Sequence, residues 1–261
     1  MTLDRDSLTP ALRDVLDSVP DTSGVVTESV MNTAGDTDIE GYVARPEGDD
    51  LRPGVLVIHD WFGLVDHVKV RAEMLARLGY VALAGDIYGA DDRPANGDEA
   101  AALAGKFYGD TDLFRERVLA NLDVLRATPG VDPERIAVMG YCFGGSASLE
   151  AVRAGADVAG VVSFHGGLKT GAPAEPGSVS APVLVLTGAD DPVVPPSDVV
   201  AFEDEMKSAG SDDWQVVTYS GALHAFAVPD ADAPEHGAAF QATANRRSWA
   251  AMQTFFGEVF A

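Results

Sequence analysis

Apolar side chains change their spacing twice along the first third of the chain. Leu8, Leu12, Val15 and Leu16 recur at helical spacing within residues 2–19 before "PDTSG" breaks the pattern, which predicts a short helical arm over residues 1–23 that leans on the main body. The next two stretches, "VVTESVMN" and "IEGYVARPEG", alternate with period two and predict antiparallel strands joined by the turn-prone "TAGDTD". From Pro53 onward the apolar runs are continuous: "GVLVIHD", "VALAGDIY", "RIAVMGYC", "VAGVVSFHG", "APVLVLTGADD" and "WQVVTYSG". Between them lie amphipathic segments such as "HVKVRAEMLARLGY", "SASLEAVRAG", a helix over residues 197–209 and a last helix ending near Phe260. Strands that do not alternate are covered on both faces, so the pattern predicts an α/β fold, a mostly parallel central sheet flanked by helices on both faces. No repeat or linker divides residues 24–261, which are expected to form one domain. Residues 90–110 depart furthest from the strand–helix rhythm and are expected to cap the site.

Composition narrows the partners. The 261 residues carry a formal charge of −23, spread in clusters such as Asp49-Asp50, Asp91-Asp92 and Asp212-Asp213, so nucleic acid and anionic membrane are repelled rather than recruited. No apolar run is long enough to span a bilayer. The first residues are charged from Asp4, without the basic-then-apolar pattern of a secretion signal, and the single cysteine cannot form an internal disulfide; a cytoplasmic location is expected.

In an open parallel sheet, ligands bind in the crevice beyond the carboxyl ends of the strands. The reactive residue types gather there: Asp60 and Trp61 follow one strand, Asp86 another, Cys142 a third, His165 a fourth, Asp191 a fifth and His224 a sixth. The only cysteine stands in "AVMGYCFGGSAS", directly between a strand and a helix. A nucleophile on so sharp a turn needs small residues two before and two after it, here Gly140 and Gly144, and the N-terminus of the following helix favours a thiolate. The competing reading makes Cys142 a small apolar plug or a redox-sensing thiol; for the latter no second cysteine is present to resolve it.

Activating a thiol requires a base, and the base requires a group that fixes its tautomer. "LTGADDPVVP" and "SGALHAF" supply an acid and a histidine in the chain order nucleophile, acid, histidine, the order of the α/β-hydrolases. Asp191 is chosen because it precedes Pro192 and stands third after Gly188, with Asp190 as the alternative. Two N–H groups must hold the oxyanion, one from Phe143 and one from the loop "HDWFGL", where Trp61 is the expected donor. Neither H-E-x-x-H nor paired-cysteine spacing occurs, so no metal or other cofactor is expected.

Taken in order, "HDWFG", "GYCFGG", "GADDPVVP" and "LHAF" resemble the dienelactone hydrolase family of α/β-hydrolases from about Gly24 to the C-terminus, the cysteine in place of serine being the most distinctive mark. The resemblance implies Cys142 as nucleophile, His224 as base, Asp191 as its orienting acid, and Trp61 with Phe143 as the oxyanion hole. It also implies a role in tuning the thiol for Asp60, which stands where the family has a glutamate. An arginine that the family places soon after the histidine to hold a substrate carboxylate is replaced by Val228, and Arg93, Lys106 and Arg115 are the cations left in the region that would supply a second. A weakly anionic small ester or lactone is therefore the expected substrate, against a pocket of Trp61, Phe62, Phe143 and Phe226. Thioester hydrolysis or acyl transfer on the same residues, and a non-catalytic ligand-binding or redox-sensing protein, are the alternatives.

Overall fold

The computed structural model describes residues 3–21 and 24–261; the outer ends of the expected arm, residues 1, 2, 22 and 23, lie outside them. The alternating stretches pair as an antiparallel hairpin, β1 (Val25–Ala34) with β2 (Thr37–Pro46), Ala34 facing Thr37. The turn is thus only Gly35-Asp36, shorter than the six-residue stretch expected, because Gly35 takes φ 58°, a conformation glycine adopts without steric cost.

The continuous apolar runs become β3 (Arg52–Ile58), β4 (Val81–Gly85), β5 (Val131–Tyr141), β6 (Gly160–Phe164), β7 (Val183–Gly188) and β8 (Trp214–Tyr219). The eight strands lie in the order β1-β2-β4-β3-β5-β6-β7-β8. Only β1–β2 and β2–β4 are antiparallel, and every pair from β4 through β3 to β8 is parallel. Successive side chains of a strand point to opposite faces, so Val55 and Val57 enter the core beneath α2 (Asp66–Arg77) and α7 (Ala242–Val259), while Leu56 and Ile58 enter the one beneath α4 (Thr111–Ala127) and α5 (Phe143–Arg153). Helix α6 (Pro196–Ala209) joins the second core through Phe202 and Met206. A two-stranded ribbon of β9 (Asp232–Ala233) and β10 (Ala238–Ala239), with no counterpart in the hydrophobic pattern, lies between β8 and α7.

Within residues 90–110 the chain forms α3 (Gly97–Tyr108), started by Asn96, whose side-chain oxygen accepts the Glu99 N–H at 3.0 Å while Glu99 accepts the Ala95 N–H at 2.8 Å. This helix packs against the first residue of α5, the Phe107 and Tyr108 rings standing 5.9 and 5.6 Å from the Phe143 ring.

The N-terminal helix α1 (Pro10–Asp17) begins where Thr9 caps it, accepting the Leu12 N–H at 3.2 Å. Leu8, Leu12, Val15, Leu16 and Val19 are buried in the same core as Tyr42, Met74 and Phe256. Buried Arg77 closes the joint, donating from one Nη1 to the carbonyls of Leu16 and Val19, both at 2.8 Å. Replacing Arg77 by Met should lower unfolding free energy by about 2 kcal/mol, the scale of hydrogen bonds to a charged donor, and expose α1 to protease before the rest of the chain. Unchanged denaturation and cleavage patterns would mean that the arm is held by its apolar face alone.

Candidate active site

Cys142 follows β5 and immediately precedes α5 with φ 53° and ψ −112°, a backbone that costs a residue with a Cβ on the order of 1–3 kcal/mol and persists only where the surroundings enforce it. Those surroundings are two glycines packed against backbone. A Cβ on Gly140 would run into the carbonyl of Gly144, and one on Gly144 into the carbonyl oxygens of Ile58 and His59. The Cys142 N–H donates to the Phe164 carbonyl at 2.9 Å, continuing the β5–β6 ladder past its end. The residue is only partly buried.

His224 comes to this sulfur on the loop after β8. Its backbone is gripped by the small ribbon: its N–H donates to the Gly237 carbonyl and its carbonyl accepts the Ala239 N–H, both at 3.0 Å. Gly188 lets the loop pass, since a Cβ there would collide with the Ala222 carbonyl. Nδ1 of His224 lies 2.9 Å from Asp191 Oδ2, and Nε2 lies 3.0 Å from Cys142 Sγ. A carboxylate only accepts, so Nδ1 carries a proton. The other oxygen of Asp191 accepts the N–H groups of Val193 and Val194 at 2.7 and 3.2 Å, which leaves the carboxylate no freedom to turn. Asp191 is buried while Asp190 is exposed, so Asp191 is the acid that meets the histidine. Burial alone would lower the pKa of His224; the Cys142 sulfur and Asp191 together outweigh it and raise it to about 10.

Residues 39–260 match the model of the dienelactone hydrolase family. The chain belongs to the dienelactone hydrolase family. It is 30% identical over 240 residues to a protein provisionally named carboxymethylenebutenolidase from Synechocystis sp., covering 84% of this chain and 91% of that one. Among solved structures, the dienelactone hydrolase-like promiscuous phosphotriesterase P91 from metagenomic libraries superposes with a TM-score of 0.85 at 39% identity, covering 91% of this chain and 99% of that one. The structure titled m3DLH gives the same TM-score at 37% identity and the same coverage.

On this dienelactone hydrolase scaffold the remaining expected residues take different places. Phe143 opens α5, so its N–H is one of the unpaired donors of the first turn. Its ring is buried among His59, Tyr88, Phe107 and Phe114 and lines no open surface. Trp61 and Phe62 are each 38% exposed on the β3–α2 loop, and the Tyr88 hydroxyl donates to the Trp61 carbonyl at 3.1 Å. Phe226, expected in the pocket, is instead fully buried behind the site against His165 and Tyr219, because the turn after His224 carries it down into the core. Asp60 is buried and holds its own loop, accepting the Phe62 N–H at 2.8 Å and facing His67 Nδ1 at 3.5 Å.

The candidate carboxylate-binding cations are already committed. Arg93 pairs with Asp86 at 3.1 Å and Glu40 at 3.3 Å, and Arg115 with Glu150 at 2.9 Å. Burial opposes the charge of Asp86, but His59 and Arg93 outweigh it and hold the carboxyl below its usual range. Lys106 lies over the Phe107 ring. Among the described residues, no group of three or more His, Cys, Asp or Glu is placed to hold a metal ion.

Two features of the site escaped the sequence pattern. The β9–β10 ribbon that grips His224 is too short to show periodicity. His67 and Arg71 sit on the buried side of α2, where the guanidinium lies 5.3 Å over the Tyr141 ring and bonds Asn245 at 2.7 Å; the long apolar stripe of that helix concealed them. The two acids can be told apart in solution. Asp191→Asn removes an anion from His224 and should lower its pKa by at least about one unit, some 1.4 kcal/mol, whereas Asp190→Asn should leave it unmoved. Histidine nitrogen shifts against pH measure both, and the opposite ranking would reverse the assignment.

Proposed function

We propose that this hydrolase cleaves a small, weakly anionic carboxylic ester or lactone through an acyl-thioester on Cys142. The observation that carries the reading is the unbroken line from Sγ to Nε2 at 3.0 Å and from Nδ1 to Asp191 at 2.9 Å, set on a strained turn at a helix N-terminus. In this mechanism His224 Nε2 takes the thiol proton and Sγ attacks the carbonyl carbon. The backbone N–H groups of Phe143 and Trp61 meet the oxyanion. Collapse breaks the bond to the alkoxide, which leaves with the proton from Nε2. Water, deprotonated by the same nitrogen, then attacks the thioester, releasing the acid and restoring the thiol. Asp191 holds the neutral imidazole in the required tautomer and stabilises the imidazolium each time Nε2 is protonated.

Several observations favour a substrate without a free carboxylate. Val228 offers no charge, Arg93 and Arg115 are paired, and the surface is strongly anionic. The open lining is apolar at Trp61 and Phe62. Between α3 and α5 a depression of about 20 Å³, room for no more than a water-sized group, is lined by Tyr108, Thr111, Ser146, Glu150 and Thr170. Its one cation, Lys169, is paired with Asp198 at 3.1 Å. Neutral phosphotriesters belong in the same substrate panel, given the likeness to P91. The single free thiol fits a reducing compartment, the cytoplasm.

A panel of aryl esters, lactones, thioesters and phosphotriesters, each with and without a free carboxylate, tests the reading. The neutral esters and lactones should turn over fastest. Cys142→Ala should reduce their hydrolysis by about 10³-fold or more with the melting transition retained. Turnover that survives this substitution would refute the mechanism, and a preference for carboxylate-bearing substrates would refute the specificity.

A further inference from the structure

His165, the strand-end histidine without an assigned part, sits immediately behind the reacting pair. It follows β6 with φ 41°, a left-handed conformation uncommon for a residue with a Cβ, and its ring is completely buried. Its backbone N–H donates to the Leu186 carbonyl at 2.8 Å. The next residue wedges it in place: a Cβ on Gly166 would come within 2.5 Å of the Gly145 backbone in the first turn of α5. The ring Nδ1 lies 3.2 Å from the Cys142 N–H, which it shares with the Phe164 carbonyl. A backbone N–H can only donate, so Nδ1 presents its lone pair and the proton of the neutral ring resides on Nε2. That Nε2 is buried and has no hydrogen-bond partner among the described residues. Leaving a buried polar group so carries a desolvation penalty that a phenylalanine or leucine would avoid, and such orphans call for a functional explanation.

The same ring stands edge-to-face with His224 at 5.3 Å and with Phe226 at 5.1 Å. It therefore touches both partners of the proposed reaction, the backbone of the one and the imidazole of the other. We propose that His165 is a positioning residue: its Nδ1 fixes the amide of Cys142 on the strained turn while its ring walls the His224 imidazole so that Nε2 faces the sulfur. The part rests on the reading of Cys142 and His224 given above. Both duties require the neutral ring, since a proton on Nδ1 would abolish the acceptor and set a second cation against His224. Burial first, then the neighbouring His224, His67 and Arg71, hold the pKa of His165 well below the ordinary histidine value, so it stays neutral while His224 takes up its proton.

The experiment begins with the unaltered protein. Imidazole nitrogen shifts of His165 should remain those of the neutral Nε2–H tautomer through the pH range in which an ordinary histidine protonates; a protonated ring there, or the Nδ1–H tautomer, would overturn the proposal whatever the enzyme hydrolyses. Next come His165→Phe, which keeps the ring but removes the acceptor, and His165→Asn, which keeps an acceptor and tolerates positive φ. With an aryl ester, His165→Phe should lower kcat by about 10-fold or more with KM within about twofold, and should shift the pH profile of Cys142 alkylation. His165→Asn should recover a large part of kcat, on the reasoning that small misplacements of reacting atoms can cost up to about 10²-fold. An unshifted alkylation profile in His165→Phe, or equal loss in both variants, would reduce the residue to packing and overturn the proposal. Because tautomer and alkylation are read without substrate, failure of the hydrolase reading would be seen separately, as no turnover in the wild type.

Discussion

The left-handed backbone at Cys142 is the constraint on which the site depends. The strain, on the order of 1–3 kcal/mol, cannot be relieved locally because β5 and α5 are locked on either side of it. Gly140, Gly144 and Gly145 have no side chains, and the space their Cβ atoms would take is already filled by backbone or by Ser163. The turn survives because it is overdetermined, and its consequence is a sulfur held out at the end of the sheet, beside the free N–H groups of a helix.

The rest of the molecule brings groups to that sulfur and holds them still. The parallel sheet places the ends of β3, β5, β6, β7 and β8 along one edge, so the loop of Asp60 and Trp61, Cys142, His165, Asp191 and His224 arrive from five strands. Each is tied down by a bond of its own: Asp60 by the Phe62 amide, Asp191 by the amides of Val193 and Val194, His224 by the β9–β10 ribbon. The imidazole thus meets both neighbours at hydrogen-bond distance, the kind of fixed arrangement that electrostatic catalysis requires.

Much of this was legible in the order of residues, and the reason is physical. Strands buried on both faces have to be continuously apolar, so β3 to β7 announced themselves, and the glycines around Cys142 marked the sharp turn because no other residue fits. Asp191 rather than Asp190 meets His224 for the same kind of reason, a loop register set by Gly188 and Pro192. What could not be read were properties of three-dimensional neighbours. Phe226 looked like a pocket wall and is a core residue, because the positive φ of Ala225 turns the chain inward. Arg93 looked like a free cation and is consumed by Asp86, just past the end of β4, and by Glu40 on β2. The burial of His67 and Arg71 depends on packing against α7 and Tyr141, which helical periodicity does not encode.

The central claim is that carbon is transferred to sulfur. Rapid quenching of the enzyme with an aryl ester whose acyl group leaves slowly, followed by peptide mass spectrometry, measures it directly. The account predicts that the peptide containing Cys142 gains the mass of the acyl group and loses it to hydroxylamine. Steady turnover with that peptide unmodified, or with the acyl group on another residue, would contradict it.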